Sequence, residues 1–429
     1  MNKTQRAGLA VALGALALAG CAKQTAAPPQ AQAQTPADPF VGKAFPLTPA
    51  VIAMRWQLLN PDVNSFTFRE TDRVFESRAV PRSGAVWDLP AASGFTMPAD
   101  SFGGQSYAYP QFAERTYTNA MLVMRHGKVV FEDYRNRSND MTRFLSMSMA
   151  KTVTSMLVGI ALGEGKIASL DDPADKYVTE LKGSGYEGVT IRQILQMRSG
   201  VDYQERYDFG AHPSFAGHLH QDAIVLNKMR FAAGALETRR GNPPGSTFNY
   251  STLNTMVLGW ILENATGQKL EDYTRDKLWG PLGAQADAFW LADGPPGPIG
   301  VGGRALNGMG FNATLRDFGR LGLLMLHGGK RGDAQVVPAE WMKQATTMLP
   351  TGIPPGFGGG FPGYGFQIWQ VDNEPGAFCA VGLAGQYIYV SPATATVIVK
   401  LSFYPPVEPP TVTPETIGYF KAIAHTPDA

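Results

Sequence analysis

The sequence predicts an α/β fold of the α+β type, in which an antiparallel sheet is flanked by helices and carries a helical lobe. Three observations predict it. Residues 120–134 alternate apolar and polar side chains around a His126-Gly127 turn, the pattern of a β-hairpin. The middle of the chain carries helical periodicity and long irregular stretches. Residues 366–401 then return to four short alternating runs (366–371, 378–381, 386–390 and 396–401), divided by turns at Asp372-Asn373 and Ser391-Pro392. Strand-rich ends around a helical middle imply a discontinuous domain whose two sequence halves share one sheet, with the lobe at about 169–290.

The first residues read as an export signal. Lys3 and Arg6 supply a positive start, and residues 9–18 form an Ala/Leu-rich run too short to span a bilayer. The run ends in Leu18-Ala19-Gly20-Cys21, which resembles the lipobox of bacterial lipoproteins, in which such a cysteine is acylated and becomes the mature N-terminus. Ala22 follows it, and the resemblance to Gram-negative lipoproteins then implies an outer-membrane anchor facing the periplasm. Residues 22–40 are rich in Ala, Gln and Pro with almost no charge, the composition of a flexible tether. Residues 41–110 show no clear period and read as an N-terminal extension packed on the main domain, residues 111–429.

Within that domain, residues 148–164 place Val153, Met156, Leu157, Ile160 and Ala161 on one helical face, with Gly163 and Gly165 ending the helix. Helical patterns recur at 190–197, 250–266 and 314–327, the last capped by Thr314 and closed by Gly328-Gly329. Residues 201–245 lack a sustained period. A final helix is expected over 414–425.

Composition excludes several classes. The 429 residues carry a formal net charge of +1, so no nucleic acid or other polyanion is an expected partner. Cys21 and Cys379 are the only cysteines, too few for a disulfide framework, and Cys379 lies in an apolar run that reads as core. His212, His218 and His220 lie near Asp222 and read as a polar lid. No third ligand stands at a convincing metal spacing, so no metal or cofactor is implied. The Gly-rich run 356–360 lacks the Lys-Ser/Thr and helix of a phosphate loop.

The chemical signal is Ser148-Met149-Ala150-Lys151, a Ser-x-x-Lys at the start of a helix. An i, i+3 pair shares a helical face, so the amine can reach the hydroxyl. The first helical turn also offers free N–H groups to an oxyanion. A lysine activates serine only when neutral. At a free pKa of about 10.4, roughly one in 2,500 is neutral at pH 7, a cost of about 4.6 kcal/mol. Burial lowers that cost, and the neighbours Phe144, Leu145, Met147, Met149 and Met156 are apolar.

Ser-x-x-Lys is the nucleophile motif of penicillin-recognising hydrolases. Further ordered segments are similar to the serine β-lactamase-related family: Gly165-Lys166-Ile167 with Leu170-Asp171-Asp172-Pro173, residues 190–200, Phe248-Asn249-Tyr250-Ser251, and Gly302-Gly303 before Thr314-Leu315-Arg316-Asp317. Asp202-Tyr203, Glu205-Arg206-Tyr207, Tyr250-Ser251-Thr252 and Gly385-Gln386 resemble the nylon-oligomer (6-aminohexanoate-dimer) hydrolases within it. The resemblance implies a β-lactamase/DD-peptidase-like fold and a serine hydrolase of esters or linear amides. It also implies Ser148 as nucleophile, Lys151 as base, Tyr250 as proton carrier, Tyr207 at the substrate, and the backbone N–H groups of Ser148 and Gln386 as the oxyanion hole. Where relatives carry Lys-Thr-Gly, a substrate-side strand, this chain reads Leu383-Ala384-Gly385, and Tyr-x-Asn becomes Tyr250-Ser251-Thr252. With no cation to hold a penicillin carboxylate, an ester or linear amide fits better than the alternatives, a β-lactamase or D-alanyl-D-alanine carboxypeptidase. The rival of another class is a non-catalytic, membrane-tethered binding protein on the same fold.

Overall fold

A computed structural model describes residues 47–209, 212–353 and 361–427. The leader with Cys21, the tether and the Gly-rich run 356–360 lie outside the described residues.

The alternating runs form one eight-stranded antiparallel sheet. Its order is Leu349–Pro350, Gly363–Tyr364, Trp369–Gln370, Phe378–Gly382, Gln386–Ser391, Thr396–Ser402, Thr118–Arg125 and Lys128–Tyr134. The early hairpin joins the late strands where Thr396–Ser402 pairs with Thr118–Arg125. Successive residues point to opposite faces. On one face, a Cβ on Gly322 of the Leu315–Leu326 helix would lie 3.0 Å from Ile388. On the other, Phe420 of the Val412–His425 helix packs 5.7 Å from both Tyr387 and Tyr389. The sheet is therefore covered by helices on both faces. Cys379 is fully buried within it.

Two expected elements differ. The run 366–371 yields only Trp369–Gln370 as strand, because Gln367 takes a positive φ of 61° and buries its amide. That amide accepts from Thr255 at 2.7 Å and donates to the Leu195 carbonyl at 2.7 Å. The helix Ala150–Gly163 is not one-faced: every residue from Ala150 to Ala161 is buried. Two of its threonines bond carbonyls, Thr152 that of Gln367 and Thr154 that of Asn307, each at 2.8 Å. The helix is thus a central strut rather than a surface element.

A second, four-stranded antiparallel sheet was not expected. It draws Ser77–Val80, Ala288–Leu291, Phe311–Thr314 and Arg143–Leu145 from four distant segments. Residues 77–80 thus give the N-terminal segment a strand of its own. Arg55, 1% exposed, ties the Pro49–Trp56 helix to the lobe by donating to the carbonyls of Ile224 and Val225 at 3.3 and 3.1 Å. The stretch 201–245 holds short pieces: the Phe215–Leu219 helix, a π-helical turn over His220–Val225 and a 3-10 stretch over Phe231–Glu237. Each is too short to show a period.

Close approach at Gly159 fixes the strut. A Cβ there would sit 2.3 Å from Trp341 Cγ. Gly159→Ala is expected to destabilise the protein by about 1–3 kcal/mol, because the indole must move. Gly418→Ala, on a helix with no atom within 4 Å of the new methyl, is expected to be neutral or to stabilise by up to ~1 kcal/mol. Denaturant unfolding of the two variants makes the comparison.

Candidate active site

Ser148 sits on a sharp strand-to-helix turn. The strand Arg143–Leu145 leads into a 3-10 turn, Met147–Met149, which feeds the Ala150–Gly163 helix. Met147 is forced to a φ of +45°, a conformation that needs outside support for a residue with a side chain. The support is local. Ser146 N–H donates to Phe311 O at 2.8 Å and Ser146 Oγ donates to Met147 O at 3.0 Å. Gly382 approaches so closely that a Cβ would fall 2.3 Å from Ser146 O. The turn leaves Ser148 half-buried between the buried Met147 and Met149.

Lys151 is 1% exposed. Its Nζ contacts Ser148 Oγ at 2.8 Å, Gly308 O at 2.8 Å and Thr252 Oγ1 at 3.0 Å. The partners fix the proton inventory. Gly308 O can only accept, and the Thr252 hydroxyl donates to Glu205 Oε1 at 2.9 Å, so it too accepts from the amine. A neutral amine spends both N–H bonds there and turns its lone pair to Ser148. Burial lowers the Lys151 pKa to about 8, against a smaller opposing pull from Glu205. At that value roughly one amine in ten is neutral at pH 7, a cost of about 1.4 kcal/mol in place of 4.6.

Tyr250 lies just before Ser251, which caps the Thr252–Thr266 helix. Its ring stacks on Trp369 at 5.5 Å, and Lys151 Nζ stands 5.0 Å from its centroid. Ser148 and Tyr250 line the same cavity. Burial pushes the Tyr250 pKa up, and the serine pulls it down by less, so the ring holds its proton as a phenol at neutral pH.

Two cavities meet at Ser148, of about 350 and 490 Å³. Tyr207 and Leu383 line both, with Ser148. The remaining sequence-derived positions are placed otherwise. Ala384 and Gly385 form a left-handed turn (φ 62° and 82°) buried against Tyr404 and line neither cavity. Gln386 is 1% exposed and also lines neither. Its amide donates to Ser402 O at 2.8 Å and Ala384 O at 3.0 Å, bracing the turn from behind. Gly382 and Leu383 line the larger cavity with Ser148. The three histidines separate. His212 and His218 are exposed, with His218 3.4 Å from Asp222. His220 is buried beside Tyr207 and Phe231, its Nδ1 2.7 Å from Ala216 O. Among the described residues, no cluster of three His, Cys, Asp or Glu could hold a metal.

Glu205, Thr252 and Gly308 received no role from the sequence. Glu205 accepts from Thr252 N at 2.7 Å, Thr252 Oγ1 at 2.9 Å and the Tyr207 hydroxyl at 3.0 Å. The available signal was Thr252 itself, third in Tyr250-Ser251-Thr252, where the family pattern has Asn.

Comparison with known proteins agrees with this geometry. The sequence model of the beta-lactamase family matches residues 111–413. The chain belongs to that family. It is 34% identical over 305 residues to the 6-aminohexanoate-dimer hydrolase of Paenarthrobacter ureafaciens, covering 69% of this chain and 75% of the relative. Among solved structures, a protein from Bacillus anthracis provisionally described as a 6-aminohexanoate-dimer hydrolase superposes with a TM-score of 0.72 at 23% identity, covering 91% of this chain and 98% of its own. EstCE1, a hydrolase with promiscuous acyltransferase activity, gives a TM-score of 0.57 at 19% identity over 72% and 96%. The beta-lactamase/transpeptidase-like fold is thus shared well beyond sequence likeness.

The Glu205 carboxylate favours the charged amine through Thr252. Its removal in Glu205→Gln makes the ammonium less favourable, so the acid limb of the pH profile of kcat/KM is expected to move to lower pH than in the wild type, whose midpoint is expected near 8. Lower activity with an unmoved limb would make Glu205 merely structural.

Proposed function

We propose that this serine hydrolase cleaves carboxylic esters or linear amides through an acyl-enzyme on Ser148. The observation that carries the reading is the 2.8 Å contact between Ser148 Oγ and a buried Lys151 amine with its other partners accounted for. Lys151 takes the serine proton as Oγ bonds to the carbonyl carbon. The Tyr250 phenol, beside Ser148, gives its proton to the departing alkoxide or amine as the C–O or C–N bond breaks, and is re-protonated from Lys151. Water, deprotonated by the same relay, then releases the acid and regenerates Ser148. The backbone N–H groups of Ser148 and Leu383 are assigned to the oxyanion, with Leu383 in place of Gln386 because Leu383 lines the cavities. Tyr207 contacts the substrate.

The linear amide in the name of the Paenarthrobacter relative, 6-aminohexanoate dimer, is the reference amide. The apolar Leu383 argues against a β-lactamase or carboxypeptidase, whose substrates present a carboxylate. A panel of p-nitrophenyl esters, 6-aminohexanoate dimer and nitrocefin tests the reading. Wild type is expected to turn over esters or the linear amide far faster than nitrocefin. Ser148→Ala is expected to abolish both turnover and fluorophosphonate labelling, and Lys151→Met to lower kcat by about 10²–10⁴. Labelling that persists in Ser148→Ala would defeat the assignment.

We also propose that Cys21 is acylated, placing the enzyme on the outer membrane through its 22–40 tether. The support is the Leu18-Ala19-Gly20-Cys21 run behind an apolar stretch. Among the described residues no helix is long and apolar enough to cross a membrane. Metabolic incorporation of a fatty-acid analogue is expected in the wild type and absent in Cys21→Ala. Incorporation unchanged in that variant would refute the anchor.

A further inference from the structure

The two cavities at Ser148 differ in kind, and the difference orients the substrate. Tyr250 lines the larger one, together with Trp369 and Glu408, and is absent from the smaller. The group that protonates the leaving atom must touch it, so the leaving group occupies the larger cavity. The acyl portion is left with the smaller one, which opens from the same serine and shares Leu383.

That smaller cavity is walled almost wholly by carbon. Leu58, Leu59, Phe75, Ile224, Leu291 and Leu306 contribute, and Leu291 and Leu306 are fully buried in the core behind it. Among the described residues three titratable side chains border it: Arg55, His220 and the Tyr207 phenol, which donates to Glu205. Arg55 is enclosed, with Nε 2.9 Å from Val74 O, Nη1 on the carbonyls of Ile224 and Val225 and Nη2 buried, and its charge is offset by Glu76. His220 keeps its Nδ1 on Ala216 O, and burial lowers its pKa, leaving the ring neutral. Among the described residues no carboxylate lines this cavity, and Glu205, behind Tyr207 and Thr252, already accepts three hydrogen bonds, so an ammonium entering it would be desolvated with no carboxylate in contact. Much of the wall comes from residues 55–75, upstream of the residues 111–413 that match the family.

We propose that this cavity is an acyl pocket selective for uncharged, medium-length aliphatic acyl groups, so that the enzyme favours alkanoyl over ω-amino- or ω-carboxy-acyl substrates. The proposal rests on the acyl-enzyme reading above and names its substrate class. Each methylene buried there adds roughly 0.8 kcal/mol, about a fourfold gain in kcat/KM, until the volume is filled.

The test is a series of p-nitrophenyl esters from acetyl to decanoyl, with 6-aminohexanoyl and 5-carboxypentanoyl (adipoyl) esters as charged arms, on the full-length enzyme. The wild type is expected to climb steeply from acetyl to a medium-chain optimum and to prefer hexanoyl over either charged ester by at least about a hundredfold. Leu59→Trp, which fills the pocket from a half-buried position, is expected to lower the octanoyl-to-acetyl ratio at least tenfold. Leu59→Ala is expected to move the optimum to longer chains. Leu59→Asp, which introduces a carboxylate, is expected to narrow the gap between hexanoyl and 6-aminohexanoyl. A flat chain-length profile in an active wild type, or a charged acyl ester handled as well as hexanoyl, overturns the pocket assignment and leaves the Ser148 mechanism standing. Absence of turnover on every ester, with no fluorophosphonate labelling, overturns both.

Discussion

A lysine amine held out of water beside an alcohol is the constraint on which this structure depends. Leaving Nζ buried would be ruinous if its bonds were unmet, and the fold meets them with two acceptors and one serine. The cost of the neutral amine then drops from about 4.6 to about 1.4 kcal/mol at pH 7. Keeping that geometry needs a stiff support. A helix buried on all sides supplies it, as does a turn at Met147 whose strain is borne by Ser146, Phe311 and the bare Cα of Gly382.

Burial and charge act on Lys151 in opposite senses, and burial dominates. Glu205 accepts from the Thr252 hydroxyl that the amine contacts, and its charge moderates the desolvation without reversing it. The same desolvation keeps Tyr250 protonated. One environment thereby favours the neutral form of two groups of opposite charge type.

What the sequence disclosed followed from the range over which each signal acts. The hairpin and late strands were legible because alternation persists for seven or eight residues, as in Thr118–Arg125 and Thr396–Ser402. The four-stranded sheet was not, because its strands are three or four residues each and two of its three pairings join segments more than 160 positions apart. Ser148 and Lys151 stood out because they share one helical turn, and Tyr250 because it heads another helix. Gly308 was invisible, since a carbonyl oxygen has no residue signature. The sequence put Leu383-Ala384-Gly385 on a substrate-side strand, whereas these residues form the turn between Phe378–Gly382 and Gln386–Ser391. Local pattern could not tell which backbone faces the serine, because a three-residue turn reverses the direction between Leu383 and Gln386.

The tie made by Arg55 has a consequence for how the smaller cavity can be altered. It clips a stretch lying ahead of the family-matched residues onto the lobe beside Ser148. One flank of that cavity, residues 55–75, is therefore separate in sequence from Ser148, Lys151 and Tyr250. Remodelling that flank alone reshapes the space next to the serine and leaves the amine and its acceptors as they stand.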